Sequence, residues 1–414
     1  MQRLRIEKLV HGGQGLATLP EGKRVFVWNG LPGELVNVRV IKKKRSYVEA
    51  IAEEILEPSP ERVEPRDSNY LATSPWQILP FDAENRYKKA IVEELFAHEK
   101  VALPETGETI YTNTEWHYRN KMEYSFWGDD DGLHLALHQR GSSGKQIVDG
   151  SALALPALDA AANAVLALLQ PLNVRAGDLK TVIVRTSAVG KSVAALFVKR
   201  QDFHALKLPD ELQGLRVYYS NPKSPASVPT ELLQELGDVR LTDTLIGTAF
   251  TYDVDSFFQV NIPIFEKALG DIKNALQPSQ KIIDMYAGVG SIGLSVAPDN
   301  VTLVELDSAT AAMARENAGQ GAEVIEAGAE KALEYITGEY PVIFDPPRAG
   351  LHPKVVERVL ETLPEQIIYL SCNPATHARD LALLQEKYEV VDFKIYNFFP
   401  KTPHIETLAV LNRR

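Results

Sequence analysis

The only cysteine of this 414-residue chain stands in Ile367-Ile368-Tyr369-Leu370-Ser371-Cys372-Asn373-Pro374-Ala375-Thr376. Apolar, strand-favouring residues run into Ser371, and Asn373-Pro374 ends the strand. Thr376 is expected to cap a helix running through Arg379, Leu381 and Leu384. A thiol at such a junction meets the partial positive charge of free backbone N–H groups, which favours the nucleophilic thiolate. The plainer reading is a buried structural cysteine. A lone cysteine excludes an intramolecular disulfide and any cysteine-rich metal or iron–sulfur site.

Three further stretches could do chemistry. Asp284-Met285-Tyr286-Ala287-Gly288-Val289-Gly290-Ser291-Ile292-Gly293 contains a literal G-x-G-x-x-G, so a dinucleotide is one reading. In a dinucleotide site the glycines follow the strand directly, and the pyrophosphate sits on a helix N-terminus. Here Asp284 closes the strand and a longer turn precedes Gly288. That arrangement fits better a ligand without phosphate, S-adenosylmethionine, whose ribose hydroxyls need a carboxylate. Glu305, in Leu303-Val304-Glu305-Leu306-Asp307, is placed to accept them, with a structural role as the alternative. The third stretch is Phe344-Asp345-Pro346-Pro347-Arg348-Ala349-Gly350, where two prolines make a rigid turn beside Asp345. Arg348 takes the place of the aromatic residue that stacks the base in amino-methyltransferases, which disfavours N-methylation of adenine.

The elements that must hold these residues form a regular series. Strands are expected at Lys281–Met285, Val301–Leu306, Ala322–Ala327, Val342–Asp345, Gln366–Ser371, Glu389–Asn397 and Ile405–Asn412. Helical segments separate the first five. Such alternation predicts an α/β, doubly wound parallel sheet, with ligands at the strand carboxyl ends. The short connection Phe398–Pro403 implies an antiparallel last strand. Residues 246–414 are read as this catalytic unit, and 58–245 as a linker and central α/β region. That region has an amphipathic helix over Ala83–His98, a second helix over Leu153–Leu169, strands at Lys180–Thr186 and Ser192–Lys199, and a turn at Ser220–Pro225. Glu57–Pro65 is proline-rich and expected to be extended. Arg119 and Lys121, in Tyr118-Arg119-Asn120-Lys121-Met122-Glu123-Tyr124, mix charge with aromatics on an expected strand.

Residues 1–57 read as a small, OB-like β-barrel. Short strands at Arg3–Val10, Gly15–Leu19, Arg24–Trp28, Glu34–Lys42 and Ser46–Ile55 are punctuated by glycines. Met1–Val48 carries ten Lys/Arg against three acids, although the whole chain has net charge −11. A basic module on an acidic body points to nucleic acid. Lys42, Lys43, Lys44 and Arg45 are the expected phosphate contacts, and Phe26, Trp28 and Tyr47 could stack on bases. No apolar run is long enough to span a membrane, and the first residues lack a signal-peptide pattern, so a cytoplasmic protein is expected.

Taken in order, these stretches resemble the RNA 5-methyluridine methyltransferase family. The resemblance covers most of the chain. It runs from His11-Gly12-Gly13-Gln14-Gly15-Leu16-Ala17, typical of a TRAM domain, through Phe257-Phe258-Gln259-Val260-Asn261 and the motifs above to His404-Ile405-Glu406. It implies a class I methyltransferase sheet using S-adenosylmethionine to methylate uracil C5 in RNA, ribosomal RNA ahead of transfer RNA, as a monomer. Cys372 corresponds to the thiol that adds to C6, and Glu406 to the base that removes the C5 proton. Gln259, Tyr286, Gly288, Glu305 and Asp345 correspond to cofactor contacts. His377 and His404 are read as structural. Many ribosomal-RNA members hold an iron–sulfur cluster on four cysteines, whose places fall on Asp67, Thr73, Trp76 and Gly150, so no cluster is expected and packing around Trp76 takes over. The alternatives are a transfer-RNA enzyme, an RNA cytosine-C5 methyltransferase and a non-catalytic RNA-binding or assembly factor. The cytosine enzymes usually place proline before the cysteine, where Ser371 stands.

Overall fold

The computed structural model describes residues 2–105, 107–112, 114–224, 226–279 and 281–414. Residues 2–57 form a six-stranded sheet around an apolar core of Val25, Val27, Val36, Val38 and Ala50. Alternation builds it: Arg24–Trp28 and Leu35–Lys43 each turn every second residue inward. The long strands Leu35–Lys43 and Tyr47–Glu57 are joined by a tip of exposed Lys44, Arg45 and Ser46.

The proline-rich stretch after the barrel is docked rather than free. Glu34, fully buried, accepts from the Arg62 guanidinium (2.6 Å) and from the Ser59 and Leu31 N–H groups. The fixed φ of proline keeps this backbone open, and the buried pair decides where it lies. A helix, α1 (Phe81–His98), follows. The central region is a seven-stranded sheet covered by a helix over Pro156–Leu169, packed through Leu158, Ala162 and Val165. Of the expected turn at 220–225, Pro225 lies outside the described residues. The place expected for the last domain boundary, between 245 and 246, falls at the turn of a hairpin pairing Arg240–Leu245 with Thr248–Asp253.

The C-terminal sheet has seven strands: β1 (Ile282–Met285), β2 (Val301–Glu305), β3 (Ala322–Glu326), β4 (Val342–Phe344), β5 (Gln366–Ser371), β6 (Tyr388–Tyr396) and β7 (Glu406–Arg413). Their order is β3-β2-β1-β4-β5-β7-β6, all parallel except β7, which runs antiparallel between β5 and β6. Near-continuous burial of β1, β4 and β5 is what a parallel sheet covered on both faces requires. The helices α2 (Ile262–Ala275), α3 (Pro353–Thr362) and α4 (Pro374–Leu384) flank it.

Candidate active site

The carboxyl ends of β1, β2, β4 and β5 open onto one cavity of about 1370 Å³. Gln259, Tyr286, Gly288, Glu305, Asp345, Cys372 and Glu406, distant in sequence, all line it.

Antiparallel pairing brings the cysteine to the glutamate. Ser371 and Thr407 are the last pair of the β5–β7 register, and Cys372 and Glu406 stand directly beyond them. The two groups shape each other's ionisation. Burial, then the Glu406 and Asp345 carboxyls, push the Cys372 thiol up to about 12. The thiolate expected from helix position is therefore not the resting form. A helix N-terminus is worth roughly 0.3–1 kcal/mol, less than one pH unit. Desolvation and two acidic neighbours outweigh it. Glu406, only 2% exposed, is itself held well above the usual carboxylate range by burial and by Asp345. Asp345 is raised to about 7 by burial. Burial thus biases this cluster toward its protonated forms.

The helix after the cysteine starts earlier than expected. Asn373, not Thr376, is the N-cap, its side chain accepting from Ala375 N–H, and Pro374 takes the first helical position. Proline suits that position because its φ is preset and its missing N–H is not needed. Thr376 instead donates to carbonyls, that of Asn373 at 3.1 Å. Asn373 Nδ2 also donates to the Arg348 carbonyl (2.8 Å), tying the Asp345–Gly350 turn to α4. Gly350, at φ 80°, closes that turn. A Cβ there would lie 2.5 Å from Asp380 Oδ2, which accepts from Leu351 N–H.

The glycine turn is held from both sides. Tyr286 takes a left-handed conformation, φ 69°, directly after β1. Glu305 Oε2 accepts from Gly288 N–H (3.0 Å) and Oε1 from Asp307 N–H (2.8 Å). Asp284 is fully buried: one oxygen accepts from Gly293 N–H (2.8 Å), and the other has no partner among the described residues. Burial raises its pKa to about 8. The helix after the turn is a single one, Gly293–Val296. So short a helix offers little dipole for a pyrophosphate, which weighs against the dinucleotide reading.

The cavity wall also holds residues that were not named as site residues from the sequence. Phe257 is 64% exposed at the cavity edge, and Phe399, His404 and Arg348 also line it. Arg348 Nη2 lies 3.3 Å from His404 Nδ1, and burial with nearby cations lowers His404 to about 4, so its neutral ring accepts. His404, read as structural from sequence, is therefore part of the cleft wall. Its adjacency to Glu406 was the available signal.

The expected RNA contacts are spread more widely. Lys42, Lys43, Lys44 and Arg45 are exposed at or next to the barrel tip, outside the cavity. Arg119 and Lys121 do not line the cavity either; between them Asn120 Nδ2 donates to the Gln259 carbonyl (3.0 Å). Burial and Arg185 lower Lys121 to about 8. Trp28 is not free to stack on a base, because the Arg140 guanidinium covers its ring at 3.8 Å. Phe26 and Tyr47 pack edge to face at 5.5 Å. At the places matched to cluster cysteines, hydrogen bonds join the chain. Asp67 accepts from Ala152 N–H (3.1 Å) and Gln77 Nε2 (2.9 Å), while buried Trp76 donates to the Gly13 carbonyl (3.1 Å).

Comparison with known proteins is consistent along the chain. The family model described as tRNA (uracil-5-)-methyltransferase matches residues 331–414, and that of the TRAM domain matches residues 1–52. An uncharacterized RNA methyltransferase of Enterococcus faecalis is 30% identical, over 99% of this chain and 96% of its own length. One from Thermotoga maritima is 27% identical over 99% of both chains. In fold, the chain resembles the crystal structure of the Pyrococcus abyssi tRNA (uracil-54, C5)-methyltransferase, solved with S-adenosyl-L-homocysteine. That likeness has a TM-score of 0.80 at 23% identity and covers 99% of this chain and 100% of the other.

Proposed function

This chain belongs to the RNA methyltransferase family that includes the uracil-5 enzymes, and on that premise we propose that it methylates C5 of uracil in RNA through a covalent bond to Cys372. The observation that carries the reading is that Cys372 and Glu406, each next to the last β5–β7 pair Ser371–Thr407, line the cleft that also holds Glu305 and Asp345.

The cleft fits S-adenosylmethionine. Gly288 faces open space where a side chain would stand, and Glu305 ends β2 with its carboxylate fixed by two backbone N–H groups. Gln259, Tyr286, Gly288, Glu305 and Asp345 would hold it. When bound, it supplies an electrophilic methyl on positively charged sulfur.

Uracil C5 is too weak a nucleophile to take a methyl group unaided. Cys372 Sγ adds to C6, and the C5–C6 electron pair moves onto C5 and O4. Once C5 carries the methyl, a Glu406 carboxylate removes the C5 proton, the C5–C6 double bond reforms and the thiolate leaves. Cys372 must lose its proton before the first step, and Glu406 must be ionised before the last. A cluster biased toward its protonated forms therefore has to shed protons as the cleft fills. Arg348, whose charge already pulls both groups down, favours that change.

The target base must leave its stack to reach the thiol, so an unpaired segment is the expected substrate. Phe257 and Phe399 on the rim offer surfaces against which an extruded base can rest. Lys42–Arg45 provide a sequence-independent hold on the backbone. Ribosomal RNA is the first reading by family resemblance. Transfer RNA is the second, favoured by the description of the matching family model. Mapping of 5-methyluridine in both RNA pools, with and without the gene, tests the function and separates the two. Loss of one methylated uridine, restored by the wild-type gene and not by Cys372→Ala, is expected. Unchanged maps, or appearance of 5-methylcytosine as the gene-dependent product, would overturn the reading.

A further inference from the structure

His377 lies on α4, has no exposed surface, and takes no part in the chemistry above. Its Nδ1 is 2.8 Å from Thr407 Oγ1, and Thr407 Oγ1 is 3.4 Å from the Ser371 carbonyl. Strand alternation puts the Thr407 side chain on the face of β7 opposite Glu406.

The protons in this chain can be placed. A carbonyl only accepts, and a hydroxyl has one proton to give. The Thr407 proton goes to Ser371, so His377 Nδ1–H must donate to Thr407. The other tautomer would bury an Nε2–H group, and Nε2 has no partner among the described residues. An unpaired buried donor is costly, so the Nδ1–H tautomer is favoured. The same environment keeps the ring neutral, because burial lowers its pKa to about 3. Tyr369, Phe96 and Phe393 pack around the imidazole at 4.2, 5.7 and 6.1 Å, which fixes its plane.

This bonded chain links three elements at one place. The imidazole comes from α4, the hydroxyl from β7 and the carbonyl from β5. Ser371 and Thr407 are the last pair of the β5–β7 register, and Cys372 and Glu406 are their immediate chain neighbours. We propose that His377 is a positioning residue that, through Thr407, holds the Ser371–Thr407 rung and so sets the approach of Cys372 and Glu406 to the base. It rests on the reading of Cys372 given above. Removing the donor frees the end of β5 to shift relative to β7, and small displacements of reacting groups slow catalysis far more than they weaken binding.

The test uses the full-length protein and a 5-fluorouridine-substituted substrate RNA with S-adenosylmethionine, in single turnover. His377→Leu is expected to form the denaturation-resistant adduct about ten- to a hundredfold more slowly, with RNA and cofactor affinities unchanged. Thr407→Val should reproduce the defect, Thr407→Ser should restore most of the rate, and His377→Leu/Thr407→Val should be no slower than either single variant. If His377→Leu does not fold, the Thr407→Val and Thr407→Ser comparison carries the test. Wild-type adduct rates in the Leu or Val variants would overturn the proposal. So would rate losses that only follow the unfolded fraction, or losses that multiply in the double variant. Absence of adduct with the unsubstituted protein would remove the reading of Cys372 itself, and this proposal with it.

Discussion

Cys372 and Glu406 stand directly beyond Ser371 and Thr407, the last pair of the antiparallel β5–β7 register. Both are pushed toward their protonated forms, the thiol in part by the carboxylate beside it. A resting site built this way is quiet: burial disfavours both the thiolate and the carboxylate.

The quiet state predicts the thiol's reactivity. Iodoacetamide should label Cys372 of the free protein slowly at pH 7–8. Glu406→Gln removes a carboxyl that opposes the thiolate once it ionises, so where Glu406 is charged the variant has the lower thiol pKa and the larger thiolate fraction. Labelling above pH 8 should then quicken severalfold, as read by mass spectrometry of the Cys372 peptide. Equal rates in the two proteins would show that the carboxylate does not act on the thiol.

Asp284 gives a stability signature. Its folded pKa, near 8, lies above its ordinary value of 3.8. Its contribution to stability is complete below about pH 4 and is lost as pH rises through 8. Asp284→Asn cannot titrate, and any cost of its amide is the same at every pH. The Tm of the variant minus that of wild type should therefore climb from pH 4 to pH 8. A flat difference would mean that this carboxyl titrates normally.

Reading of the chain from sequence succeeded where local pattern decides structure. Gln366–Ser371 is a strand end to end, and alternating strands and helices put Cys372, Glu305 and Asp345 at strand ends. It fell short where long-range packing decides. Helix position pointed to a thiolate, but neighbours contributed by β4 and β7 reverse that. The capping residue shifted to Asn373 because Pro374 is the better first helical residue. Trp28 looked available for bases until Arg140, from a turn of the central sheet, covered it. Nothing local marks Phe257 as a rim residue or His377 as a donor to Thr407, since both depend on which strands become neighbours.

The barrel tip predicts salt dependence. Replacing Lys42, Lys43, Lys44 and Arg45 together by glutamine should weaken binding of the methylated RNA. The slope of log K against log salt should flatten by up to about three for a single-stranded segment. Fluorescence anisotropy across a salt series reads this directly. An unchanged slope would place the RNA elsewhere.

The pairing of thiol and carboxylate is tested most directly by Glu406→Gln with natural, non-fluorinated RNA and S-adenosylmethionine. Without a base to take the C5 proton, the methylated adduct should accumulate. Denaturing gels should show a protein–RNA band, mass spectrometry should place a methylated uridine on Cys372, and the band should vanish in Cys372→Ala/Glu406→Gln. Free 5-methyluridine produced by Glu406→Gln at the wild-type rate, with no trapped adduct, would contradict the account.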